Sequence, residues 1–107
     1  FVLPTRSLEG FGLATAEALA SGLPVVATDA GATTELLEGV EGSALVPPAA
    51  PEALAEKLAQ LLRDPVRRAR AAAASRAAAE RLGGWEGHVL AVEEAALRAV
   101  GARRSRR

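Results

Sequence analysis

The run Glu9-Gly10-Phe11-Gly12-Leu13-Ala14-Thr15-Ala16-Glu17 decides which fold this chain can take. It sets two carboxylates eight positions apart, with a glycine-rich turn between them. Residues 13–21 are predicted to be helical: they are rich in alanine, contain no proline, and are followed by Gly22 and Pro24. Gly10 and Gly12 fall where that helix begins, and glycines there let a ligand come close to the main chain. A helix N-terminus also leaves amide N–H groups unpaired at the positive end of the dipole. The combination makes an anion site, and phosphate is the usual anion.

The two glutamates flank that site. Glu9 stands just before the helix, and Glu17 stands about 7 Å along it at ~1.5 Å per residue. A nucleotide sugar has the same layout, with a hexose and a ribose on either side of a diphosphate. Ionised carboxylates suit sugar hydroxyls because each accepts several O–H bonds. The plainer alternative is that Glu17 is a solvated helix residue. Against it, Ala14, Ala16, Ala18, Leu19 and Ala20 surround Glu17 and predict a helix buried all round, where a lone acid needs a partner or a ligand. On the residues alone both readings stand.

Working outward, residues 23–28 are predicted to form a short strand without alternation, as in a parallel sheet covered on both faces. Thr28-Asp29-Ala30-Gly31-Ala32 leaves its carboxyl end, where open parallel sheets bind their ligands. Asp29 also suits an ordinary turn acid. Residues 33–38 are expected to be a short helix, with Glu35 in its first turn favoured by the dipole. Residues 43–46 are a further strand, ended by Pro47-Pro48. Two strand–helix units in succession imply a parallel sheet with right-handed crossovers. Phe1-Val2-Leu3 has the character of a strand end, so the chain is expected to be a fragment that lacks an upstream part.

Pro51 opens a helix with Leu54, Leu58, Leu61 and Leu62 expected on one face. Asp64-Pro65 breaks it. Residues 66–82 form a second helix of alanine and arginine, stopped by Gly83-Gly84. Residues 85–100 form a third, with Val89, Val92, Ala96 and Val100 expected inward. Trp85 is expected to be a packing anchor.

Composition narrows the classes. The 107 residues make one small domain or part of one, and half of them are hydrophobic, with alanine supplying much of that. The absence of cysteine excludes a disulfide framework or a thiolate zinc site. No apolar run reaches membrane-spanning length and no signal peptide is visible. The formal net charge is zero, so nothing global points to nucleic acid. His88 is the single histidine and has no nucleophile at a recognisable spacing. No cluster supplies metal ligands.

The motifs resemble a known family. Pro4-Thr5-Arg6-Ser7-Leu8-Glu9-Gly10-Phe11-Gly12-Leu13, then Glu17-Ala18-Leu19-Ala20-Ser21-Gly22-Leu23-Pro24-Val25-Val26-Ala27-Thr28-Asp29, look like the donor-side signature of retaining glycosyltransferases with the GT-B architecture. More closely, they are similar to glycosyltransferase family 4 (group 1), which carries a Glu-x7-Glu motif. The resemblance runs over about residues 1–64. It implies an α/β fold, a partial Rossmann-like parallel sheet forming the second half of the C-terminal GT-B domain, followed by C-terminal helices. The organisation it implies is residues 1–64 as nucleotide-sugar-binding domain, residues 65–102 as alanine-rich helices packing on it, and residues 103–107 as a basic disordered tail.

The resemblance further implies a nucleotide-sugar-dependent hexosyltransferase that retains anomeric configuration in the full-length protein, with the fragment alone inactive. Glu9 takes the catalytic position, holding donor hexose hydroxyls. Gly10, Phe11, Gly12 and Leu13 bind the diphosphate, and Glu17 holds the ribose. No cofactor and no metal are expected. The partners implied are a nucleotide sugar and a glycan, lipid or small-molecule acceptor, with no nucleic acid. The implied location is cytoplasmic, with peripheral contact at the inner membrane face left open. Gly31-Ala32 stands where the family commonly has two glycines, and Arg6 is read as a solvated loop residue. The alternative is a non-catalytic nucleotide- or sugar-phosphate-binding module with the same fold.

Overall fold

The computed structural model describes residues 1–7 and 10–104, with side chains throughout except at 85–88 and 102–104. The order of elements is β1 (Val2–Leu3), α1 (Leu13–Ala20), β2 (Val26–Thr28), α2 (Ala32–Leu37), β3 (Ala44–Val46), α3 (Pro51–Arg63), α4 (Pro65–Leu82) and α5 (Trp85–Arg104). The class is α/β, as expected. The three strands form one parallel sheet in the order β1-β2-β3. Val2 pairs with Val26, and Val26 in turn with Ala44.

The central strand explains the two-sided core. Val25, Val26 and Ala27 are all buried, and successive side chains of a strand point to opposite faces. Val25 and Ala27 pack with Ala18, Leu19, Leu37, Val40 and Ala78, whereas Val26 packs with Leu61 and Ala71. The regular strand starts at Val26, later than the sequence predicts, because Pro24 has no N–H to give to a ladder. Residues 23–25 are held by other bonds. The Leu23 amide donates to the Ala18 carbonyl at 3.0 Å, and the Ala44 amide donates to the Val25 carbonyl at 2.9 Å.

Helix α4 lies along this core, mainly against α1. Asp64 caps it by accepting from the Arg67 amide at 2.9 Å, and Pro65 occupies the first turn. Buried Ser75 donates to the Leu23 carbonyl at 2.8 Å, which ties the helix to the entry of β2. Gly42 makes room for it: a Cβ there would lie 2.3 Å from the Ala71 Cβ.

Four further expectations are corrected. Helix α1 is not buried all round. Thr15, Ala18 and Leu19 are buried, but Leu13, Ala14, Glu17 and Ala20 are exposed, because one side of the helix meets the core, α4 and α2 and the other meets no element among the described residues. Leu62 is 71% exposed rather than inward with Leu61, since one residue turns about 100° around a helix. Val89, Val92, Ala96 and Val100 are all exposed, because among the described residues α5 packs extensively on no other element after the break at Gly83-Gly84. Helix α5 also runs to Arg104, two residues into the stretch expected to be a tail.

Candidate functional site

Parallel strands place the loops after β1, β2 and β3 at one end of the sheet. The loop after β1 enters α1 through Gly12, whose φ of 65° and ψ of 29° put it in the left-handed region. Among the described residues no side chain caps the helix, and the Ala16 amide donates to the Gly12 carbonyl at 2.9 Å. A Cβ at Gly12 would lie 2.6 Å from the Leu36 Cδ1 and 3.6 Å from the Ala32 Cβ. Glycine is therefore required here by its own backbone and by the approach of α2, not by a ligand. Gly10 differs: no described residue lies within 4 Å of the position its Cβ would take. Of the two glycines, Gly10 is the one open to a ligand.

Phe11 and Leu13 stand out from this turn, 86% and 63% exposed. Glu17 is exposed on α1, and among the described residues no side chain pairs with its carboxylate. Its exposure removes the argument that burial obliges it to find a partner. Gly10, Phe11, Gly12 and Leu13 are contiguous at the helix start, with Glu17 further along the same helix. Glu9, assigned the catalytic position, lies outside the described residues, as does Leu8. The side chains of Trp85 and His88 also lie outside them.

Residues that the sequence did not single out hold this loop. Thr15 of α1 and Thr33 of α2 are both buried, with their hydroxyls 3.4 Å apart. Thr28, at the end of β2, donates its hydroxyl to the Thr5 carbonyl at 2.6 Å, with the Leu3 carbonyl at 3.4 Å. The available signal was a threonine at an otherwise apolar buried position, where a hydroxyl must find an acceptor.

The loop after β2 is similarly braced. The Asp29 amide donates to the Val46 carbonyl at 2.8 Å, and the Asp29 carboxylate accepts from the Thr34 hydroxyl. Asp29 thus serves as a turn acid. Gly31 follows at φ 66° and ψ −133°, a region closed to side chains. Glu35 is exposed in the first turn of α2.

An open cleft of about 360 Å³ lies at the same end of the sheet, lined by Pro4, Arg6, Thr28, Ala50, Pro51 and Leu54 among others. None of the described residues assigned to the site from sequence lines it. Arg6 does, and among the described residues no acid faces it. No group of three or more His, Asp or Glu side chains gathers among the described residues, and no helix there is long and apolar enough to cross a membrane.

Residues 1–64 match the family of Glycosyl transferases group 1. Over 79 residues the chain is 49% identical to the D-inositol 3-phosphate glycosyltransferase of Xylanimonas cellulosilytica, which covers 73% of this chain and 18% of that protein. Among solved structures it is similar to sucrose-phosphate synthase from Thermosynechococcus elongatus. The TM-score there is 0.85 and the identity 31%, over 94% of this chain and 25% of that one. It is also similar to the C-terminal domain of a glycosyl transferase group 1 family protein from Francisella tularensis, with TM-score 0.67 and 35% identity, over 75% of this chain and 40% of that one. The chain spans 11% and 18% of the length of the first curated relatives it matches.

Proposed function

Because the chain belongs to the group 1 glycosyl transferases and has the α/β arrangement of their GT-B fold, we propose that it forms the nucleotide-sugar side of a retaining hexosyltransferase of glycosyltransferase family 4. The observation that carries this is the start of α1 at Gly12, which no described side chain caps, beside the carboxyl ends of a parallel sheet, with the exposed carboxylate of Glu17 unpaired among the described residues on the same helix.

In this proposal the diphosphate of the donor lies against the main chain of residues 10–13. Transfer breaks the bond between the anomeric carbon and the diphosphate oxygen, and negative charge builds on the leaving phosphate. Fixed amide dipoles at the start of α1 stabilise that charge without having to reorganise. The departing phosphate accepts the proton of the attacking hydroxyl on the same face, so configuration is retained. Glu9 accepts bonds from the donor hexose hydroxyls and Glu17 from the ribose hydroxyls. Neither carboxylate acts as a nucleophile, and no metal is required. The acceptor is a hydroxyl of a glycan, a lipid or a small polyol, of which the D-inositol 3-phosphate in the name of one relative is an example.

The test is a thermal-shift screen of the full-length protein with UDP, GDP, ADP and their hexose conjugates, repeated on Glu17→Ala. A shift with one nucleotide series, weakened in the variant, is expected. A folded protein that shifts with none of them does not bind a nucleotide sugar. Hydrolysis of simple glycosides without any nucleotide would replace the assignment with a glycosidase.

A further inference from the structure

We infer that the corner between α3 and α4, with the outer face of α4, is a docking surface for an anionic lipid bilayer. This surface lies at the opposite end of the sheet from the donor site, so it does not depend on the donor-site proposal.

Positive charge is concentrated here although the chain as a whole is formally neutral. Residues 62–79 hold Arg63, Arg67, Arg68, Arg70 and Arg76 against one acid, Asp64. The Asp64 carboxylate accepts from the Arg67 amide and so caps α4. The Arg68 guanidinium donates to the Leu61 and Leu62 carbonyls, at 3.1 Å each, and closes the end of α3. Arg63, Arg67, Arg70 and Arg76 are exposed, and none forms an ion pair among the described residues. The next acids in sequence on the two helices are Glu56 of α3, which accepts from Gln60, and Glu80 of α4.

Two aliphatic side chains stand among these cations. Leu62 and Val66, four positions apart across the Asp64-Pro65 break, are 71% and 63% exposed. Ala71, Ser75 and Ala78 form the buried face of α4. At about 100° per residue, Val66, Ala69, Ala73 and Ala77 therefore run along its outer face, with Arg70 on one side of that line and Arg76 on the other. Arginine stems lie along such a face while their guanidinium groups reach lipid phosphates. The boundary between headgroups and acyl chains takes up aliphatic groups and attracts cations together. A nucleic acid would use the cations but has no comparable use for Leu62 and Val66, and residues 62–79 hold no aromatic side chain for a base to stack on.

Helix α4 crosses the edge of the sheet where β2 and β3 begin. Ser75 donates to the Leu23 carbonyl ahead of β2, and Ala71 abuts Gly42 ahead of β3. The loops of the donor-site proposal leave the opposite, carboxyl ends of the strands. Contact through α4 leaves those loops clear of the bilayer.

The test is sedimentation of the full-length protein with phosphatidylcholine vesicles that contain or lack phosphatidylglycerol, at about 0.1 M salt. Three arginines near the surface, at about fivefold each, are expected to make wild type bind the anionic vesicles about 100-fold more tightly than the neutral ones. Arg63→Gln, Arg67→Gln and Arg70→Gln combined are expected to remove that preference. Leu62→Gln with Val66→Gln is expected to weaken binding about tenfold. All five side chains are exposed, so melting temperatures close to wild type are expected and show that the variants fold. If the triple variant does not fold, the three single variants take its place, each expected to bind about fivefold more weakly.

A wild type that binds neither kind of vesicle overturns the inference, as does a folded arginine variant that binds as wild type does. Unchanged binding in the aliphatic variant also overturns it. Tighter binding of wild type to a DNA duplex than to the anionic vesicles overturns it in favour of a nucleic acid.

Discussion

Gly12 and Gly42 both have positive φ, but an alanine at each would meet a different neighbour. At Gly12 the new Cβ would press on the Leu36 Cδ1, the end of a flexible side chain. The backbone strain then dominates, and Gly12→Ala is expected to cost about 1–2 kcal/mol. At Gly42 the neighbours are the Ala71 Cβ at 2.3 Å and Cα at 3.0 Å, part of a helix that cannot step aside alone. Gly42→Ala is expected to cost about 3 kcal/mol or more. Urea denaturation of both variants checks the ranking, and the reverse order would show that α4 yields more easily than Leu36. Glu17 gives a contrasting case, because its side chain is exposed and unpaired among the described residues. Glu17→Ala is expected to leave unliganded stability within about 0.5 kcal/mol. It should raise donor KM about tenfold, through the loss of charge-assisted bonds to hydroxyls. A variant that loses stability but keeps its KM would return Glu17 to the plain helix role.

At the scale of elements, α4 and α5 behave oppositely although both are rich in alanine. Helix α4 has Ala71, Ser75 and Ala78 buried, spaced so that one face meets the sheet and α1. Small residues bring the backbones close, and Ser75 adds a bond to the Leu23 carbonyl. Ser75→Ala is expected to cost about 1 kcal/mol, measured by the same denaturation, because that carbonyl loses its donor. A neutral result would mean that packing alone holds α4. Helix α5 has no such face. Leu90 and Leu97 are exposed together with its valines, and an exposed i,i+4 pair of Glu94 and Arg98 at 3.9 Å adds little. Truncating the 107-residue chain after His88 is therefore expected to change its unfolding free energy by no more than about 0.5 kcal/mol. A larger loss would reveal packing by α5 that its exposure does not suggest.

Across the 107-residue chain, the core among the described residues is small. The largest fully buried hydrophobic side chains are Leu19, Val25 and Val26, and alanine buries little apolar area. A fold with so little internal stabilisation responds clearly to a ligand that binds only the folded state. At 100 times its Kd such a ligand adds about 2.7 kcal/mol. The expected thermal shift with the correct nucleotide diphosphate is thus several degrees, about 5 °C or more. A shift below about 1 °C at that excess would argue against a site formed in the folded state.

The α/β class, the order of strands and helices, and the family were all legible from residues 1–64, because strand, turn and helix signals there are local. Paired valines mark β2, and Gly22 and the prolines mark the ends of elements. Which sides of α1 and α5 face inward was not legible, whereas the inward leucines of α3 were, apart from Leu62. Alanine is compatible with core and solvent alike, so only the partners present in space decide, and among the described residues α1 has a bare side while α5 has no covered one. The site shows the same division. The sequence by itself determined that a glycine-rich turn opens a helix between two glutamates. Only the tertiary structure decided that Gly12 answers to Leu36, that Gly10 is the open glycine, and that Thr28 holds the loop through the Thr5 carbonyl. Those are contacts between residues far apart along the chain, and no local pattern specifies them.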